Sequence, residues 1–145
     1  MAKTFGATHT INTNTNEDAA KKVKELTGGF GVDYAFDAVA IDKTQALAYD
    51  ALAPGGNAVA VGVSSPKQRA QYSHFNMVFT EKTVSGTFYG SVRPDLDFPV
   101  LVDHYMNKRL NIDGLISRTY KLEDINDGFK RMLAGEVARG VVVFD

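Results

Sequence analysis

Cysteine is absent from this 145-residue chain, proline is scarce at 4 residues, and neither sign of charge is in surplus. Without cysteine there is no disulfide framework, no thiolate zinc site and no cysteine nucleophile. A cytoplasmic location is compatible with that count. The 16 Lys plus Arg against 17 Asp plus Glu leave a formal net charge of −1. With no long basic run, the chain lacks the field that holds a phosphate backbone, which argues against nucleic acid as a partner. No apolar run approaches the roughly 18 residues of a spanning helix, and no charged-then-apolar leader follows Met1, so no membrane partner is expected. What is present is an ordinary globular composition, 44% hydrophobic and 23% charged. A compact chain of this length buries about 68–70% of its unfolded surface, enough for a real core.

The common sequence marks of catalysis are missing too. There is no GxGxxG, GxxxxGK[ST], GxSxG or HExxH. Gly28-Gly29-Phe30-Gly31 has the glycines of a phosphate loop in the wrong place. Such loops follow a strand and open a helix, whereas these end a helix and precede a strand, so they read as a stop and a turn. His9, in a β-rich run, His74, in a long loop, and His104, on a helix, each stand without the partner a metal pair needs. Glu123-Asp124 and Asp95 with Asp97 are paired carboxylates, but both pairs fall where helix starts favour negative charge.

Hydrophobic periods of two and of about 3.6 residues alternate along the chain. Thr8–Asn12 is a short β-rich run. The polar residues 14–18 offer N-caps to a helix whose Ala19, Val23 and Leu26 share a face, and Gly28-Gly29 ends it. Val32–Val39 reads as a strand, Lys43–Leu52 as a helix broken by Pro54-Gly55-Gly56, and Asn57–Val63 as a second buried strand. Ser64–Asn76 is a polar loop, longer than most connections. Val78–Tyr89 returns to strand chemistry. Phe98, Leu101, Val102, Tyr105 and Met106 form the stripe of a helix over about Asp97–Arg109. Leu115–Tyr120 reads as a strand, Ile125 to Leu133 as a helix ended by Gly135, and Val141–Phe144 as a last strand. This alternation implies an α/β fold with a parallel sheet covered on both faces.

Ligands of open parallel sheets bind outside the carboxyl ends of the strands. The ends at Asp37-Ala38-Val39-Ala40, at Val61-Gly62-Val63 and at Gly86-Thr87-Phe88-Tyr89-Gly90 would then form one rim. Main-chain groups there can recognise an amide, and Arg139 suits a phosphate by charge and bidentate geometry. Gly62 and Gly86 admit two readings, close approach of a ligand or close packing of the backbone.

These residues resemble a known family. Phe5-Gly6-Ala7-Thr8, Leu26-Thr27-Gly28-Gly29 before Gly31-Val32-Asp33, and Ala53-Pro54-Gly55-Gly56 before Val61-Gly62-Val63 are similar to the second half of the nucleotide-binding domain of zinc-dependent, medium-chain alcohol dehydrogenases. Gly86-Thr87-Phe88-Tyr89-Gly90, Leu115-Ile116 before Tyr120, Ile125-Asn126 with Gly128-Phe129, and Gly135-Glu136 with Arg139 resemble the end of the same family, nearest its class III, glutathione-dependent formaldehyde dehydrogenase-like branch. The likeness runs through the whole chain in one register.

The resemblance implies a partial Rossmann fold, a doubly wound parallel sheet lacking its first two strands, over residues 1–89, followed by the C-terminal piece of a catalytic domain over residues 90–145. It implies a site for the nicotinamide half of NAD, with NADP as the other option. Val61 and Val63 would flank the nicotinamide around Gly62, and the main chain of Val61, Thr87 and Tyr89, with Phe88 between the last two, would bond its carboxamide. Ala38 and Val39 would line the ribose side, and Arg139 would meet the pyrophosphate. Ala40 stands where the family often has glycine, so its methyl is expected to crowd the ribose or shift the backbone.

The family's glycine-rich turn, zinc ligands and proton relay fall upstream of the matching residues, so zinc and catalytic residues are expected only in a parent enzyme. By this reading the chain is a fragment of an oxidoreductase acting on an alcohol or aldehyde, inactive alone. In the strand order 3-2-1-4-5-6 the central strands would be missing. Thr8–Asn12 is then expected to pair with Val32–Val39, or the bare edge to be covered by another copy in a homodimer or larger homo-oligomer. Two other readings remain, a non-catalytic interaction module and a zinc-free quinone reductase relative.

Overall fold

The computed structural model describes residues 1–15 and 18–144. These form two compact units, Met1–Val92 and the residues from Arg93 onward. The first unit opens with a short 3-10 turn at Ala2–Phe5, closed by Gly6 at φ 94°. Helix α1 (Ala19–Leu26) begins at Asp18, whose carboxylate accepts the Lys21 N–H at 2.9 Å. It ends as expected: Gly28 and Gly29 take φ 69° and 93°, which side chains disfavour. Thr27 Oγ1 then accepts the Gly31 N–H at 3.0 Å and leads the chain into β1 (Val32–Asp37).

After β1 come α2 (Asp42–Asp50), β2 (Leu52–Ala60), α3 (His74–Phe79) and β3 (Thr83–Gly86). The three strands are parallel in the order β1-β2-β3, so each connection is a crossover. Ala35, Ala58 and Val84 share one register and one face. They pack with Tyr49 and Leu52, each 1% exposed, and with Tyr72 and Met77. Tyr49 donates to the Ser73 carbonyl at 3.2 Å, its ring lies 5.0 Å from Tyr72, and the Lys82 ammonium sits 5.0 Å above it. Burial, then the charge of Lys24, holds the Lys82 ammonium below the usual lysine range.

The opposite face differs from the expectation of a sheet covered on both sides. There Tyr34 and Phe36 stack at 6.4 Å and stay 64% and 68% exposed. The core gathers against α2, and no described element packs over Tyr34 and Phe36. Thr8–Asn12 is not a strand: it pairs with neither β1 nor any other strand among the described residues. A β-rich run without a neighbouring strand stays irregular.

Three further boundaries move. β2 starts at Leu52 rather than Asn57 and runs through Pro54-Gly55-Gly56 with a register break opposite β1. A Cβ on Gly56 would lie 2.9 Å from the Val32 carbonyl, so glycine here serves close strand packing rather than a stop. The polar loop ends at Ser73, whose hydroxyl caps α3 by accepting the Asn76 N–H at 3.2 Å, and His74 is therefore helical. The strand expected over Val78–Tyr89 is confined to Thr83–Gly86, because α3 takes its first residues.

The second unit contains α4 (Pro94–Met106), β4 (Arg118–Tyr120), α5 (Ile125–Leu133) and β5 (Gly140–Val142). Pro94 opens α4 at its first turn, where a missing N–H costs nothing, beside Asp95 and Asp97. β4 and β5 pair in parallel around α5. β4 is shorter than expected because Asp113–Leu115 forms a 3-10 turn. Tyr120 is 8% exposed against Gly128 and Gly140, and its ring would collide with a Cβ at Gly140. The Tyr105 hydroxyl donates to the Asp113 carboxylate at 3.0 Å, which holds the phenol above its ordinary pKa.

Candidate functional site

Three turns leave the carboxyl ends of β1, β2 and β3, and hydrogen bonds tie them in sequence. Asp37 ends β1 and is 6% exposed. Its Oδ1 accepts the N–H groups of Val39 and Ala40, both at 3.1 Å. Its main-chain carbonyl accepts those of Val61 and Gly62, both at 2.9 Å. The Ala60 carbonyl in turn accepts the Thr87 N–H at 3.0 Å. Ala38, Val39, Val61, Gly62, Val63 and Thr87 are thereby brought together, and Phe88 and Tyr89 continue the third turn.

Side chains at this rim face outward. Val39 is 64% and Val63 84% exposed, and Phe88 and Tyr89, edge to face at 4.8 Å, are similarly open. The N–H groups of Val61 and Thr87 are used inside the protein. The carbonyls of Val61 and Thr87 and the N–H of Tyr89 enter no hydrogen bond among the described residues. An acceptor on the second turn, with an acceptor and a donor on the third, are what a primary carboxamide needs.

Backbone conformation singles out the same place. Five described non-glycine residues have positive φ, and three of them, Ala40 at 63°, Tyr89 at 50° and Ser91 at 56°, lie on these turns. Such residues persist where the surroundings over-determine them, often beside ligands. Ala40 shows why glycine suits its position. Its methyl does not project over the rim but is buried at 2% exposure against Gly62. A Cβ on Gly62 would meet Ala38 C and O and Ala40 Cβ at 2.8 Å, while Gly86 has open space around it. Of the two glycines, close packing therefore explains Gly62 alone.

Arg139 belongs to the second unit. Its main chain is fixed by Ser117, which donates to the Arg139 carbonyl from its N–H at 2.9 Å and accepts the Arg139 N–H on its hydroxyl at 3.1 Å. The exposed guanidinium makes no ion pair among the described residues, and the residue lines a cavity of about 310 Å³ with Tyr120, Phe129 and Met132. None of the three histidines joins a metal cluster. Among the described residues no three His, Asp or Glu side chains converge as they would around a metal ion. No helix among them is long and apolar enough to cross a membrane. Asp37 has no role in the sequence reading; its one local signal is an acid at the carboxyl end of the strand.

Residues 1–107 match the family model described as zinc-binding dehydrogenase. S-(hydroxymethyl)glutathione dehydrogenase of Paracoccus denitrificans is 35% identical over 150 residues, covering 99% of this chain and 40% of that protein. Alcohol dehydrogenase-like 6 of Arabidopsis thaliana is 35% identical, covering 98% and 37%. Among solved structures, benzyl alcohol dehydrogenase of Acinetobacter calcoaceticus superposes with a TM-score of 0.92 at 28% identity, over 99% of this chain and 39% of that one. The chain thus spans about two fifths of the length of these relatives, which it matches along its parallel sheet and beyond. On the family-model match, the chain belongs to the zinc-binding dehydrogenase family.

Proposed function

We propose that the chain is the nicotinamide-side portion of an oxidoreductase that moves hydride between an alcohol or aldehyde and NAD or NADP. The observation that supports this is the set of three tied turns with the Val61 and Thr87 carbonyls and the Tyr89 N–H left over, a pattern complementary to a carboxamide. When bound, such a cofactor supplies hydride transfer. The chain's own residues bind and orient it. Val61 and Val63 flank the nicotinamide around Gly62, Phe88 shields it, Ala38 and Val39 line the ribose, and Arg139 neutralises the pyrophosphate. Residues 1–89 are read as half a Rossmann domain and residues 90–145 as the end of a catalytic domain. Zinc and the proton relay belong to the rest of a parent enzyme, and no step through zinc is assigned to this chain. The match to S-(hydroxymethyl)glutathione dehydrogenase supports placing the chain near the glutathione-dependent formaldehyde dehydrogenase-like branch.

A second reading, a non-catalytic module that assembles with a copy of itself or a longer partner, is favoured by the open Tyr34 and Phe36 face. NADH fluorescence titration separates the two. Saturable binding tighter than about 1 mM, weakened in Arg139→Ala, supports the cofactor site. Binding weaker than that, with the same signal in both proteins, overturns it in favour of the module.

A further inference from the structure

Asp37 is the one buried charged or polar residue among those described, and its Oδ1 and main-chain carbonyl both bond the rim. An aspartate that bonds the N–H groups two and three residues ahead is an ordinary turn device. Three features exceed that role. The carboxylate is 94% buried by its 6% exposure, and its Oδ2 has no hydrogen-bond partner among the described residues. A turn alone is served as well by serine or asparagine, without the desolvation of a charge. The same residue's carbonyl closes a second turn, 24 residues further along at Val61, through two more bonds. Finally, the two turns touch: the Gly62 Cα faces Ala38 and the Ala40 methyl so closely that no side-chain atom fits between them.

We propose that Asp37 is the positioning residue of the rim, fixing the 38–40 turn with its carboxylate and the 61–62 turn with its carbonyl, so that one residue sets how the two turns sit against each other. The consequence for binding rests on the cofactor reading above; the brace itself does not. Ala40 stays left-handed because Asp37 Oδ1 holds its N–H, and Gly62 stays in register because Ala40 is held. Loss of the carboxylate is therefore felt at Val61 and Gly62, whose own bonds go to an untouched main-chain oxygen. A local turn device loosens only Val39 and Ala40.

Amide hydrogen exchange by NMR on the full chain reads this directly, in Asp37→Ala and Asp37→Asn. Asparagine keeps an acceptor at Oδ1 and alanine does not. In D37A, Val39 and Ala40 are expected to exchange at least tenfold faster and Val61 and Gly62 at least threefold faster, with D37N close to wild type. Unchanged rates at Val61 and Gly62 in D37A overturn the brace, as does a D37N protein as loose as D37A. If the circular dichroism of D37A departs from wild type, Asp37→Leu, which also removes the acceptor but fills the volume, replaces it under the same criteria. NADH titration of the same proteins tests the link to the site. D37A is expected to bind about tenfold more weakly and D37N within about threefold. Equal affinity in D37A and wild type overturns the positioning role. A wild-type chain that binds no NADH at all removes the cofactor reading, and the exchange rates then decide the brace alone.

Discussion

Replacing Gly62 and Gly86 by alanine, one at a time, tests whether the rim is built on close packing. The added Cβ at residue 62 lies 2.8 Å from Ala38 C, Ala38 O and Ala40 Cβ, none of which is the mobile end of a side chain. To reach an ordinary contact of 3.4 Å, the two turns must separate. Two hydrogen bonds to Asp37 Oδ1 and two to its carbonyl resist that movement. Overpacking of this kind costs about 1–3 kcal/mol, and rupture of one of those bonds adds about 1 kcal/mol. At residue 86 nothing lies within 4 Å and φ is not positive. There alanine stabilises β3 by about 0.5–1 kcal/mol, because glycine loses more backbone entropy on folding. The two variants should therefore move in opposite directions and differ by about 1.5–5 kcal/mol. Urea unfolding followed by circular dichroism at 222 nm, with tryptic cleavage to confirm that the first unit is the one that unfolds, measures the gap. Variants that agree within about 0.5 kcal/mol would refute the packing account of Gly62.

Leu52→Ala should cost about 2–5 kcal/mol, since its side chain is 1% exposed, whereas Phe36→Ala, at 68% exposure, should stay within about 0.5 kcal/mol, both by denaturant melts. Gly31→Ala combines φ 106° with a Cβ 2.5 Å from the Ala51 carbonyl, so soluble yield should fall below that of Gly6→Ala, where space is free. Burial raises the phenol pKa of Tyr49, with Asp50 next, and of Tyr72, with Asp37 next. The fold thus prefers neutral phenols, and that stability is complete below the unfolded tyrosine pKa of about 10 and is lost as pH rises through the higher folded values. Melts from pH 8 upward should show the decline, shallower in Tyr49→Phe, and Asp37→Asn should lower the Tyr72 titration midpoint followed by NMR; a midpoint that stays put would separate Tyr72 from Asp37.

How far the sequence carries depends on which force decided each element. β1 and α5 were legible because an apolar run of strand length and a stripe at helical spacing are local signals, and α1 because glycines must follow its last turn. β2 was cut short because Pro54-Gly55-Gly56 reads as a breaker, while in the fold Gly56 lets β2 approach the Val32 carbonyl. The run from Val78 divides between helix and strand, since short apolar segments fit both periods, although Ser73 three residues before Asn76 carried a capping signal. Thr8–Asn12 shows the limit of propensity, because a strand needs a neighbour as well as β-formers. Rim membership could be read from strand ends, but the role of Asp37 could not. It depends on two turns far apart in sequence meeting at one residue.

The open outer edge of β1 and the bare Tyr34 and Phe36 beside it have a kinetic side. Parallel sheets assemble from distant segments and close slowly, so the strand spends time as an accessible template before and after its own crossover forms. Intramolecular closure is first order in protein, while templated pairing between chains is of higher order. Recovery of native protein from denaturant should therefore fall as the refolding concentration rises, and a lysine placed at Tyr34 should flatten that dependence without changing the rate of folding at high dilution.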